Sequence, residues 1–116
     1  MKHLIKEKKF HRKRDQRRAL IKIMLHNLIM KGKIKTTTER AKYLRSKIEK
    51  LITIAKKKDL SSLRNLLSKL PKKSAYKLYY EIAPKYEDRN SGYTRIIKLP
   101  FKRKKDGAEL SIIEFV

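Results

Sequence analysis

Residues 35–56 read KTTTERAKYLRSKIEKLITIAK, and the reading of this stretch decides the fold. Ala41, Leu44, Ile48, Leu51, Ile52 and Ala55 recur at the three- and four-residue spacing of a helix and mark one apolar face. Arg40, Lys42, Arg45, Lys47 and Lys50 fall elsewhere on the circumference. The periodicity carries a helix to about residue 57. Its start lies among three threonines: Thr36 precedes Glu39 by the capping-box spacing, and Thr38, directly before Glu39, is an equally plausible cap. An amphipathic helix must bury its face on another layer, so the flanking sequence has to supply one.

Upstream, Leu20, Ile23, Met24 and Leu28, widened by Ile21, Leu25 and Ile29, predict a heavily buried helix from Asp15 or Gln16 to Gly32. Residues 33–37 are short and β-branched and read as a strand. Downstream, DLSSLRNLLSKLP predicts a helix capped by Asp59 or Ser61, with Leu63, Leu66, Leu67 and Leu70 inward and Pro71 as its stop. Ser74 can cap a further helix, in which Ala75, Leu78, Tyr79 and Ile82 share a face until Pro84 ends it. KYEDRNSGY reads as loop, and YTRIIKLPF and ELSIIEFV, joined through an Asp-Gly pair, read as an antiparallel hairpin. Two strands do not stand alone in water, so the hairpin packs on the helices, with residues 33–37 as the candidate third strand. The expected fold is a two-layer α+β domain over residues 16–116, in the order α-β-α-α-α-β-β, preceded by a basic extended arm over residues 1–15.

Charge bounds the function. The 116 residues carry 34 lysines and arginines against 11 aspartates and glutamates, a formal net charge of +23. Such an excess repels itself unless a polyanion neutralises it, which points to nucleic acid. The arm concentrates the candidates: Lys2, His3, Lys6, Lys8, Lys9, His11, Arg12, Lys13, Arg14, Arg17 and Arg18. Lys35 in the strand joins them, as do Arg40 and Arg45, which sit near a helix start where the dipole would favour acids. Lys102 and Arg103, with Lys104 and Lys105, form a basic hairpin loop suited to phosphates. Tyr93 and Arg95 are two apart on a strand and would share a face. Lys56, Lys57 and Lys58 close the long helix, where a structural role is as good a reading, and the remaining tyrosines read mostly as packing.

Other classes find little support. Cysteine is absent, which removes disulfides, zinc ribbons and thiol nucleophiles and agrees with a reducing compartment. His3, His11 and His26 pair with no nucleophile, the acids are scattered, and three glycines make no phosphate loop. No enzyme, cofactor, metal or small-molecule substrate is expected. No apolar run reaches the roughly 20 residues of a membrane span. Three rivals stay open on the residues alone: a transit peptide for residues 1–18, a DNA-binding regulator whose reading helix would offer Arg64 and Asn65, and a membrane-surface protein.

Several motifs together narrow this. Thr36-Thr37, Arg40-Ala41-Lys42, Leu44-Arg45, Leu51-Ile52-Thr53 and Gly92-Tyr93-Thr94-Arg95, with the terminal IEFV, closely resemble the bacterial large-subunit ribosomal protein seventeen family over the whole chain. The resemblance implies binding to 23S ribosomal RNA beside neighbouring large-subunit proteins, near the exit of the nascent-chain tunnel. It also implies a structural role without catalysis, in the cytoplasmic ribosome, and an arm that reaches into RNA. The chain departs from the family pattern in the arm, with Leu4-Ile5-Lys6-Glu7 and Gln16-Arg17.

Overall fold

The computed structural model describes residues 13–116, so Lys2, His3, Lys6, Lys8, Lys9, His11 and Arg12 lie outside the described residues. Helix α1 spans Arg14–Lys31 and ends at Gly32, whose φ of 82° is the left-handed conformation that closes a helix at no steric cost. Arg14 and Asp15, assigned to the arm above, are therefore its first turn. Ile21, Met24, Leu25, Leu28 and Ile29 are buried, whereas Ile23, expected on the stripe, is 59 % exposed. Apolar residues cover so much of α1 that Ile23 and also Met30 fall outside the width of helix its neighbours can cover.

Strand β1 (Lys33–Thr37) feeds directly into α2 (Thr38–Ala55). The cap is neither Thr36 nor Thr38 but Thr37, whose side chain accepts from the Arg40 amide at 3.4 Å. Only Thr37 has extended backbone immediately before the first helical residue. Thr36 is held in the sheet opposite Ser111, and the buried Thr38 hydroxyl lies 2.7 Å from that of Ser111. All six apolar residues of the α2 face are buried.

Helix α3 (Leu60–Lys69) is capped by Asp59, which accepts from the amide and hydroxyl of Ser62 at 2.7 and 2.6 Å. Those bonds to Ser62, helped by nearby Lys57, hold the Asp59 carboxyl below its ordinary range. Helix α4 (Lys72–Lys77) starts earlier than Ser74 would have set it. Pro71 presets the first turn, and the Ser74 hydroxyl instead donates back to the Pro71 carbonyl at 3.0 Å. Pro84 does not end the spiral either. Lacking an N–H, it cannot bond to the Tyr80 carbonyl, and the chain changes pitch around it. A π turn over Leu78–Ile82, with the Ala83 amide reaching Leu78, passes into a 3-10 turn over Ala83–Tyr86.

Strands β2 (Thr94–Lys102) and β3 (Glu109–Phe115) form the expected hairpin, and β1 adds to β3, giving the antiparallel order β1-β3-β2. The register pairs Ile34 and Ile96 with Ile113, and this row packs on the helical core built around Leu28, Ile29, Leu44, Ile48 and Ile52. The opposite face carries Lys33, Lys35, Arg95 and Ile97 beside Ile112 and Glu114. Helices on one face and solvent on the other make the two layers of an α+β domain.

Candidate nucleic-acid interface

The amino-terminal half of α1 presents Arg14, Arg17, Arg18, Ile21, Lys22 and Leu25 at helical spacing along one stripe. Across from it stand Tyr43, Lys47, Lys50 and Leu51 of α2 and Ser68 and Lys69 from the end of α3. Together they enclose a cleft of about 800 Å³. Its floor is the buried edge of the core, Ile21, Leu25 and Leu51. Its walls carry seven cations, and no acid is among the described residues that line it. Two like charges ~10 Å apart in water repel by about 0.4 kcal/mol, so the cluster costs stability in the free protein. The start of α1 adds to this, because Arg14 and Arg17 sit at the positive end of the helix dipole, offset only in part by Asp15, and Lys13, at the cap position, gives no side-chain cap. Local helix energetics thus disfavour this arrangement; a polyphosphate chain laid in the cleft offsets both terms. Lys47 also sits 5.2 Å over the ring of Tyr43, which fixes its stem against the wall.

The expected contacts divide between surfaces. Arg14, Arg17 and Arg18 line the cleft, with exposed Lys13 just ahead of them. Arg40 is half-buried one turn before Tyr43 on the same flank of α2. Arg45 is not brought to the cleft. At about 100° per residue it points roughly 160° away from Lys47, on the flank where the Glu49 carboxylate accepts from the Tyr93 amide at 3.0 Å. Lys35 is exposed on the outer sheet face. Arg95 is exposed there too, but its Nε donates to Glu114 at 3.2 Å.

Lys102 and Arg103 enter the hairpin loop, and Arg103 grips Asp106 with two bonds of 2.9 and 2.6 Å. That guanidinium pulls the Asp106 carboxyl down to about 2, and the bonds raise the Arg103 pKa in turn. The hairpin cations are therefore partly balanced by Glu109, Glu114 and Asp106, while no acid is among the described residues that line the cleft.

The expected Tyr93–Arg95 surface patch does not form. Tyr93 precedes β2 and is 2 % exposed, its ring 5.4 Å from that of Tyr86 and its hydroxyl donating to the Arg89 carbonyl at 3.1 Å. Lys56 donates to that hydroxyl at 2.9 Å, and Lys58 pairs with Glu87, so both serve the fold in this structure. An anchor holding α2 to the start of the hairpin must be buried, and an aromatic with a polar tip meets that need.

A family model described as Ribosomal protein L17 matches residues 20–116. The chain belongs to the ribosomal protein L17 family. Similar to it is the large ribosomal subunit protein bL17 of Sulfurihydrogenibium sp. (strain YO3AOP1), 50% identical over 117 residues that cover 100% of this chain and 97% of that protein. The bL17 protein of Hydrogenobaculum sp. (strain Y04AAS1) is also 50% identical, over 100% of this chain and 99% of its own length. That of Clostridium acetobutylicum is 46% identical over 94% of this chain and 96% of its own. The resemblance carried by the motifs is thereby borne out.

An L17-family chain is a ribosomal protein, not an enzyme. Among its described residues, His26 Nδ1 is buried without a hydrogen-bond partner, no group of three His, Cys, Asp or Glu could hold a metal ion, and no helix is long and apolar enough to cross a membrane. Leu66 of α3 and Leu70, which caps its end, are buried in the core, so the Leu-rich face of the helix carrying Arg64 and Asn65 is committed to packing. The lysines missed in the sequence as contacts are Lys22, Lys47, Lys50 and Lys69. Each is ordinary on its own helix, and only the convergence of three helices makes them a site.

Proposed function

We propose that this L17-family chain is a structural constituent of the large subunit of the cytoplasmic ribosome, binding 23S ribosomal RNA near the nascent-chain exit tunnel among neighbouring large-subunit proteins. The cleft between α1, α2 and α3 is the principal phosphate clamp, and the basic segment ahead of Arg14 continues it along the RNA. The observation that carries this reading is the seven-cation lining without an acid among its described residues. Counterion release from the RNA supplies the affinity, and the rigid helices supply the register. Lys35, Lys102 and the hairpin loop give a second, weaker contact, because Glu109 and Asp106 already pair with Lys98 and Arg103 on that hairpin. Sucrose-gradient fractionation of an epitope-tagged copy tests the assignment. The tagged chain is expected with the large subunit in low-magnesium gradients and at the top after ribonuclease treatment. A chain that stays at the top of the gradient without nuclease would refute it.

A further inference from the structure

The π turn that Pro84 imposes places three tyrosines at the surface where α4 ends. Tyr76 and Tyr80 stack with ring centroids 6.1 Å apart and planes 30° from parallel, and Tyr79 meets Tyr80 edge-on at 4.8 Å. Tyr79 and Tyr76 are half-buried, and Tyr79 is tied to the Asp59 carbonyl by its hydroxyl at 3.4 Å. Tyr80, held between them, is 62 % exposed. A large ring fixed by two neighbours yet left mostly in water has lost its rotamer freedom without gaining burial, which suits a surface awaiting a flat partner. The surroundings are cationic: Lys72 lies 5.9 Å over the Tyr76 ring, Lys73 is exposed beside it, and Glu81 is the nearby carboxylate in sequence.

We infer that Tyr80 is a stacking platform for an unpaired nucleobase of the bound RNA, with Lys72 and Lys73 taking the adjoining phosphates. The inference rests on the RNA-binding reading above and adds a site outside the cleft. An aromatic face flanked by lysines accepts any base, since every base has a π face, whereas a protein side chain would gain little from the charges. A paired helix would leave the ring unused, so the target is a loop, bulge or single-stranded junction.

The test compares the full chain with Tyr80→Phe and Tyr80→Leu in binding to a 23S ribosomal RNA transcript across a range of salt. Tyr80→Phe is expected to bind within about twofold of the native chain, and Tyr80→Leu about tenfold or more weakly, with the salt slope unchanged. Ultraviolet crosslinking of the native complex should attach a nucleotide to the peptide that carries Tyr80. Equal binding by Tyr80→Leu and the native chain, or a crosslink at Tyr80 to protein alone in purified large subunits, would overturn the inference while leaving the cleft intact. A native chain that fails to bind the transcript would overturn the functional reading itself and this site with it.

Discussion

Replacing Lys22, Lys50 and Lys69 together by glutamine removes one exposed cation from each wall of the cleft. Each phosphate contact releases about 0.7–0.9 counterion, so the slope of log K against log salt should fall in magnitude by about 2.4. At ~0.1 M monovalent salt this is a loss of about 250-fold in affinity for 23S ribosomal RNA, or about 3.3 kcal/mol. The three side chains bury little, and their removal relieves mutual repulsion, so the melting temperature should stay within about 3 °C of the native value. Filter binding or fluorescence anisotropy between low and moderate salt measures the slope. The control is Lys42, Lys57 and Lys85, exposed lysines that do not line the cleft, changed to glutamine in the same way. Equal slopes for the two triple variants would show that total charge, not the cleft, drives binding, and the reasoning would fail.

The remaining expectations concern the fold that holds the cleft. Tyr93→Phe removes the hydroxyl held between Lys56 at 2.9 Å and the Arg89 carbonyl at 3.1 Å, and should cost about 1–2 kcal/mol in a denaturant titration; an unchanged midpoint would discount the anchor. Lys58 follows the end of α2 with φ at 59°, so Lys58→Gly should stabilise the protein by about 0.5 kcal/mol in the same titration, the relief of the left-handed backbone outweighing the loss of the exposed pair with Glu87. The Asp106 carboxyl lies below its unfolded value of 3.8, at about 2, so its contribution is present above about pH 4 and is lost as pH falls through about 2. Carboxyl chemical shifts followed by NMR should place the Asp106 midpoint there, and Arg103→Gln should move it up toward 3.8.

How much of this was legible in the sequence depended on distance along the chain. The face of α2, the glycine stop of α1 and the hairpin are local patterns, and each reads directly from spacing or from one residue's backbone freedom. The errors were local competitions settled by tertiary contacts. Three adjacent threonines could each cap α2, and the choice fell to Thr37 because it is the last extended residue before the helix, whereas Thr36 lies one residue further back and the Thr38 hydroxyl is engaged by that of Ser111. Ser74 lost its capping role to Pro71, which begins the helix earlier. Pro84 carries the sequence signal of a stop, but the chain absorbs the missing donor by widening one turn. The cleft was the least legible feature, since its cations come from residues 14 to 69 and none is unusual locally. Tyr93 misled for the opposite reason: its motif is conspicuous in the sequence, but its structural task is burial.

The placement of RNA in the cleft can be tested most directly with a tethered cleavage reagent. The chain contains no cysteine, so Lys50→Cys supplies a unique thiol for an iron chelate that generates hydroxyl radicals. Assembled into large subunits, this probe is expected to cut 23S ribosomal RNA strongly at a compact set of nucleotides, with weaker cutting from a probe attached through Lys85→Cys. Intact 23S ribosomal RNA in subunits shown to contain the probe at position 50 would contradict the clamp between α1, α2 and α3.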